Sequence, residues 1–95
     1  MTPFDTTYFI GAADHTGLVK IGRTSGAVGL RLRALQLGSP ILLSVWGMIG
    51  RDCEHDLHVD HADRRRHGEW FDLSYRAVRF AVACDAVEIR VKGAL

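Results

Sequence analysis

The sequence predicts an α/β (α+β) domain in which a small, mostly antiparallel sheet is flanked by helices. Three observations carry this. Two short apolar runs, residues 8–12 and 18–21, flank the turn cluster Asp14-His15-Thr16-Gly17. A third run, residues 41–49, is too short and too β-branched at its ends to prefer a helix. The remaining stretches carry helical spacing or lack glycine and proline altogether, so the order reads β-β-α-β-α-(β)-α-(β).

Each element follows from local chemistry. The first two runs form a hairpin, with Lys20 on the alternate face of its second strand. Residues 22–29 contain Gly22, Gly26 and Gly29 with Thr24 and Ser25, which makes a loop. It feeds an amphipathic helix on which Leu30, Ala34 and Leu37 recur at i, i+4 and i+7, stopped by Gly38-Ser39-Pro40. Residues 41–49 then form a buried strand beside the hairpin. Residues 52–66 have no Gly or Pro and read as one helix, which Gly68 breaks before Glu69-Trp70-Phe71 extends. Ser74 N-caps a helix containing Val78, Ala81 and Val82, and Val87, Ile89 and Val91 alternate with other residues as a late strand would. No repeat, linker or low-complexity segment interrupts the pattern.

Composition bounds the function. With 95 residues, 47% of them apolar and 24% charged, the chain reads as one soluble domain, 1–95. Folding at this size buries roughly two-thirds of the unfolded surface, so a shallow site is expected rather than a deep cavity. No window reaches the roughly 18 to 20 apolar residues of a membrane span, because Ser44 and Gly47 interrupt the longest run and Gly50-Arg51 close it. Residues 1–5 lack the basic and apolar regions of a secretory signal, which points to the cytoplasm. There, Cys53 and Cys84 are expected as thiols.

The net charge of +1 argues for no partner by itself, but its distribution is uneven. Residues 51–72 hold seven carboxylates, four arginines and four of the five histidines. On one continuous helix, Glu54, His58, His61 and Arg65 fall at about 0°, 40°, 340° and 20°, a single narrow stripe. Such a stripe could hold a divalent cation and contact a phosphate, or it could be a solvated charged face. A zinc set of Cys53, His55, His58 and His61 is poorly spaced, since Cys53 and His58 diverge around the helix. Arg31 and Arg33 sit near the start of the first helix behind the glycine-rich loop, where backbone amides and the positive helix end favour anions. That loop matches no nucleotide-binding fingerprint, and an ordinary strand-to-helix connection explains it equally. Tyr8, Trp70 and Phe71 read either as site aromatics or as packing residues.

The ordered pieces resemble a known family. Tyr8-Phe9-Ile10, then Val19-Lys20-Ile21-Gly22-Arg23-Thr24, then Arg31-Leu32-Arg33-Ala34-Leu35-Gln36 with Gly38-Ser39-Pro40, then Glu54 with Leu57-His58, then Arg65 and Gly68-Glu69-Trp70-Phe71 are similar to the T5orf172 or Mug113 branch of the GIY-YIG nuclease superfamily. The likeness spans about residues 7–73, leaving 74–95 as a C-terminal helix with a late strand. It implies a three-stranded antiparallel sheet flanked by helices and a phosphodiesterase site using Mg²⁺ or Mn²⁺. Position by position, Tyr8 matches the first motif's tyrosine, Lys20 stands in the place of the second motif's tyrosine, Arg31 matches the helix arginine and Glu54 the metal-binding glutamate. His58 would brace Glu54, and Arg23, Thr24, Arg33, Arg65 and Trp70 would bind substrate.

The implied activity is DNA cleavage. Glu54 would hold the metal, Arg31 would steady the phosphate, and Tyr8 would take a proton from the attacking water. The cations Lys20 and Arg31 would favour the phenolate. His61 departs from the pattern, standing where the branch places an apolar aromatic. The alternative is a nuclease-fold module that binds nucleic acid or a protein without cutting. With one small cleft and weak phosphate affinity, specificity would need a homodimer or a larger protein partner.

Overall fold

The computed structural model describes residues 5–94, with side chains through residue 87. Strands β1 (Thr6–Ala12) and β2 (Val19–Thr24) form the expected hairpin, closed by His15 and Gly17, both at positive φ. A loop leads to helix α1 (Val28–Leu37), followed by strand β3 (Leu43–Ile49) on the other side of β1. Helix α2 (Glu54–Asp60), a 3₁₀ turn at Ala62–Arg64, and the short strands β4 (Arg65–His67) and β5 (Trp70–Phe71) follow. Helix α3 (Tyr75–Ala94) completes the described residues.

The class is α+β with an antiparallel sheet and three helices, but among the described residues the sheet has five strands, ordered β3-β1-β2-β5-β4, rather than three. The two additional strands form the hairpin around Gly68, whose φ of 54° suits the tight reversal. That hairpin is also why the helix expected over 52–66 is short. Arg65 pairs with Phe71 and His67 with Trp70, and Asp72 N–H donates to the Arg64 carbonyl, so the segment after Asp60 is drawn into the sheet. The late strand expected at Val87, Ile89 and Val91 is absent because α3 runs through them. It starts where expected, with the Ser74 hydroxyl accepting from Ala77 N–H at 3.0 Å, and no glycine or proline follows until Gly93.

The sheet packs on both faces, as its alternating side chains require. Phe9, Val19, Ile21, Trp46, Phe71 and Val78 form the larger cluster toward α2 and α3. Tyr8, Ile10, Val28 and Leu43 form a smaller one toward α1, with Leu32 and Leu35 packed against it. The face of α1 is therefore not the expected one, since Leu30 and Leu37 are exposed. Val28, Leu32 and Leu35 share the same i, i+4, i+7 spacing as Leu30, Ala34 and Leu37, and only contact with β1 and β3 selects between the two apolar stripes.

The register between β1 and β3 shifts at Phe9/Ile10, leaving Trp46 opposite no residue of its own. Its indole lies over Gly11 and donates from Nε1 to the Ala12 carbonyl at 2.9 Å. A β-carbon on Gly11 would sit 2.6 Å from that ring. Opposite, α3 is tied to the loop before α2 by the Arg51–Asp85 ion pair. Both cysteines are free thiols, Cys53 buried and Cys84 exposed. No helix among the described residues is long and apolar enough to cross a membrane.

Candidate functional site

The site forms at the edge of β2, where β5 stops. On β2, β5 pairs with Val19 and Lys20 and goes no further, which leaves the next backbone groups of β2 to other partners. Ile21 uses both of its groups there: its N–H donates to the Glu69 carbonyl at 2.9 Å, and its carbonyl accepts from His58 Nε2 at 3.0 Å. One residue of β2 thus anchors the start of the β5 segment and the middle of α2. Because a carbonyl only accepts, His58 carries its proton on Nε2. Its ring also packs on Phe71, with centroids 4.9 Å apart.

This anchoring brings donor atoms of Glu54, His58 and Glu69 within 4.8 Å of one another, and the cluster can hold a metal ion. The two carboxylates are hydrogen-bonded to each other. Burial, that hydrogen bond and the Glu69 charge push Glu54 up to about 7, against a smaller opposing pull from Arg23. Glu69 moves the other way. Burial raises it, but hydrogen bonds from Glu54 and Lys20 and the Lys20 charge outweigh this and hold it below the usual carboxylate range. Two adjoining carboxylates, one of them driven to hold its proton, mark a place where positive charge is favoured, and the oxygen-rich donor set suits a hard divalent cation.

Beside the cluster lies a cleft of about 370 Å³ lined by Tyr8, Lys20, Arg23, Arg31, Ala34, Leu35 and Glu69. Its basic residues come from β2 and α1, its acidic one from the turn before β5. The Lys20 ammonium lies 2.7 Å from Glu69 Oε1 and 5.8 Å from the centre of the Trp70 ring. Tyr8 is buried, and burial raises its hydroxyl above the ordinary value of 10.0. Lys20 and Arg31 pull it down while Glu69 and Glu54 push it up, and the net direction is upward. Lys20 and Arg31 thus pull toward the phenolate as expected, and desolvation of the charged form outweighs them.

Tyr8, Lys20, Arg31, Glu54 and His58 therefore come together. Arg23 also lines the cleft, held by Asp5 and Asp52 at 3.6 Å each. The remaining expected contacts do not all converge. Thr24 is buried, and its hydroxyl accepts from Gly26 N–H at 3.1 Å, which shapes the loop. Arg33 is exposed on α1 outside the cleft lining. Arg65 leaves the stripe of Glu54, His58 and His61 because it belongs to β4, where its Nε donates to the Gly68 carbonyl at 2.6 Å. His61 closes α2, with Nδ1 donating to the Leu57 carbonyl at 2.9 Å. It faces a separate groove between α2 and α3, together with Cys53 and His55. Among the described residues the zinc set of Cys53, His55, His58 and His61 does not converge.

Glu69 is the residue that sequence reasoning missed as a site member. Its signal was present in Gly68-Glu69-Trp70-Phe71, an acidic residue immediately before an aromatic pair, but its partner Lys20 lies 49 positions away.

Among curated proteins and among solved structures no significant match to the chain is found. The family model described as the T5orf172 domain matches residues 5–84, which includes all strands of the sheet, α1, α2 and the cleft between them. The chain therefore belongs to the T5orf172 domain family, a nuclease-like family.

Proposed function

We propose that the protein is a divalent-metal-dependent DNA endonuclease of GIY-YIG type, hydrolysing phosphodiester bonds with Mg²⁺ or Mn²⁺. The observation that carries this reading is the meeting, at one edge of β2, of a carboxylate cluster with a cleft lined by Tyr8 and the cations Lys20, Arg23 and Arg31. The two halves suit the two charges of the reaction, a cation on one side and a phosphodiester on the other.

Glu54 is the metal ligand in this reading, with Glu69 beside it in the cluster and His58, anchored to the Ile21 carbonyl, bracing Glu54. When bound, a divalent ion supplies positive charge to the departing oxygen. The chain's own groups do the rest. Arg31, on a solvent-facing position of α1 at the cleft, binds the non-bridging phosphate oxygens by its planar fork and opposes the charge that grows there. Tyr8 accepts the proton of the attacking water, whose oxygen bonds to phosphorus as the bond to the leaving sugar oxygen breaks. Lys20 offsets the burial that disfavours Tyr8 ionisation. DNA is the substrate class; Arg23 lines the cleft that its backbone would enter and Trp70 lies beside Lys20, while Arg33 and Arg65 stand on the exposed surface outside the cleft lining.

The experiment is incubation of purified protein with supercoiled plasmid and Mg²⁺ or Mn²⁺. Nicking that requires metal, stops with chelator and is lost in Glu54→Gln is the expected result. An inert parent protein under every metal condition would sink the reading. The raised Tyr8 hydroxyl favours a second reading in that event, a nuclease-fold module that binds nucleic acid or a protein partner without cutting.

A further inference from the structure

Lys20 occupies a critical position in the cleft, yet a lysine side chain has four rotatable bonds and no intrinsic preference for any one direction. Something must hold it. Lys20 is paired across the sheet with Trp70, the residue that follows Glu69, so the two side chains begin on neighbouring strands. Its ammonium reaches Glu69 Oε1 at 2.7 Å, with the Lys20 side chain only 17% exposed. Glu69 is itself fixed at both ends: its carbonyl accepts from Ile21 N–H, and its carboxylate lies within 4.8 Å of the donor atoms of Glu54 and His58. Lys20 and Glu69 line the same cleft as Tyr8. The Trp70 ring lies beneath the ammonium on the side away from β1 and narrows the directions left to it.

We infer that Glu69 is a positioning residue, whose carboxylate oxygen holds the Lys20 ammonium at the Tyr8 side of the cleft. This rests on the nuclease reading for its kinetic consequence but not for its structural one. What holds the ammonium is the acceptor oxygen rather than the charge. Glutamine keeps an oxygen that can accept from the ammonium, whereas alanine keeps none, and both remove the same negative charge from beside Glu54. An effect Glu69 exerts as a metal ligand is absent from the ammonium signal recorded without metal, and any effect it exerts as a bare charge is lost equally in the two variants. An effect exerted through Lys20 separates them.

Two measurements on the full chain test this. The first records the ¹H–¹⁵N signal of the Lys20 ammonium without metal or DNA, where a held ammonium exchanges slowly enough to be seen. Parent and Glu69→Gln should show it, and Glu69→Ala should lose it. The second follows plasmid cleavage at saturating Mn²⁺. Glu69→Ala should lower kcat by about 100-fold with KM nearly unchanged, as misplacement of a working group does, and Glu69→Gln should retain at least about tenfold more turnover than Glu69→Ala. Persistence of the Lys20 signal in Glu69→Ala overturns the inference, as does equal impairment of the two variants. If the parent cuts nothing while the ammonium signal responds as expected, the nuclease reading fails and the hold of Glu69 on Lys20 stands.

Discussion

The Tyr8 ring lies flat across Gly22, its cross-strand neighbour on β2, so closely that a β-carbon at position 22 would be driven into Cζ and the hydroxyl oxygen. Tyr8 is only 3% exposed, and this contact helps explain why: the bare backbone of β2 forms the floor on which the ring rests. A glycine at this place thus serves the site and the core together.

Gly22→Ala should destabilise the fold by about 1–3 kcal/mol, the range for overfilling a packed position, because neither the ring nor the strand can move aside freely. Chemical denaturation measures the loss. Cleavage should fall as well, since the hydroxyl is displaced from Lys20 and Arg31. A variant as stable and as active as the parent would show that the ring has room to shift.

Glu54→Gln should abolish metal-dependent nicking and leave the fold intact, as the side chain keeps its volume. It should also change the pH dependence of stability in the metal-free protein. Folding raises Glu54 from 4.5 to about 7, so the folded state holds this proton more tightly than the unfolded chain does. The stabilisation is complete below the unfolded value and is lost as pH rises toward the folded one. Glu69, held low, is already ionised across that window. Thermal unfolding between pH 5 and pH 8 should therefore show a decline in the parent relative to Glu54→Gln. Parallel curves would mean that Glu54 titrates normally.

Arg31→Ala should lower kcat by about 100-fold, the order expected when a charge-stabilising donor is removed, with a smaller effect on DNA affinity. Ground-state binding is shared with Arg23, Arg33 and Lys20. Single-turnover cleavage at saturating protein separates the two effects. Unchanged cleavage under those conditions, with weakened binding, would reassign Arg31 to holding the DNA backbone.

Lys20→Met should move the alkaline limb of the cleavage profile to higher pH, because burial already raises Tyr8 and Lys20 is the largest influence opposing it. Tyr8→Phe should remove that limb while retaining metal and DNA binding. Rate profiles at fixed, saturating metal provide the comparison. Coincident profiles for the parent and Lys20→Met would dissociate the two residues.

The hairpin, the third strand and the start of α3 were legible in the amino-acid sequence, as were Tyr8, Lys20, Arg31, Glu54 and His58, which the fold brings together. Each rests on chemistry that acts between near neighbours: a turn cluster between apolar runs, the hydroxyl of Ser74 capping its own helix, and Tyr8 and Lys20 placed on alternating strand positions. Tertiary structure decided the rest. Two equally spaced apolar stripes on α1 are indistinguishable until β1 and β3 cover one of them. Residues 52–66 have no local reason to stop being helical, and it is pairing with Trp70 and Phe71 across Gly68 that turns their end into a strand, removing Arg65 from the side of Glu54. Glu69 enters the site by the same pairing. Its position depends on Ile21 and Lys20, nearly fifty residues earlier in the chain, and a contact between residues so far apart leaves no periodicity by which it could be read in advance.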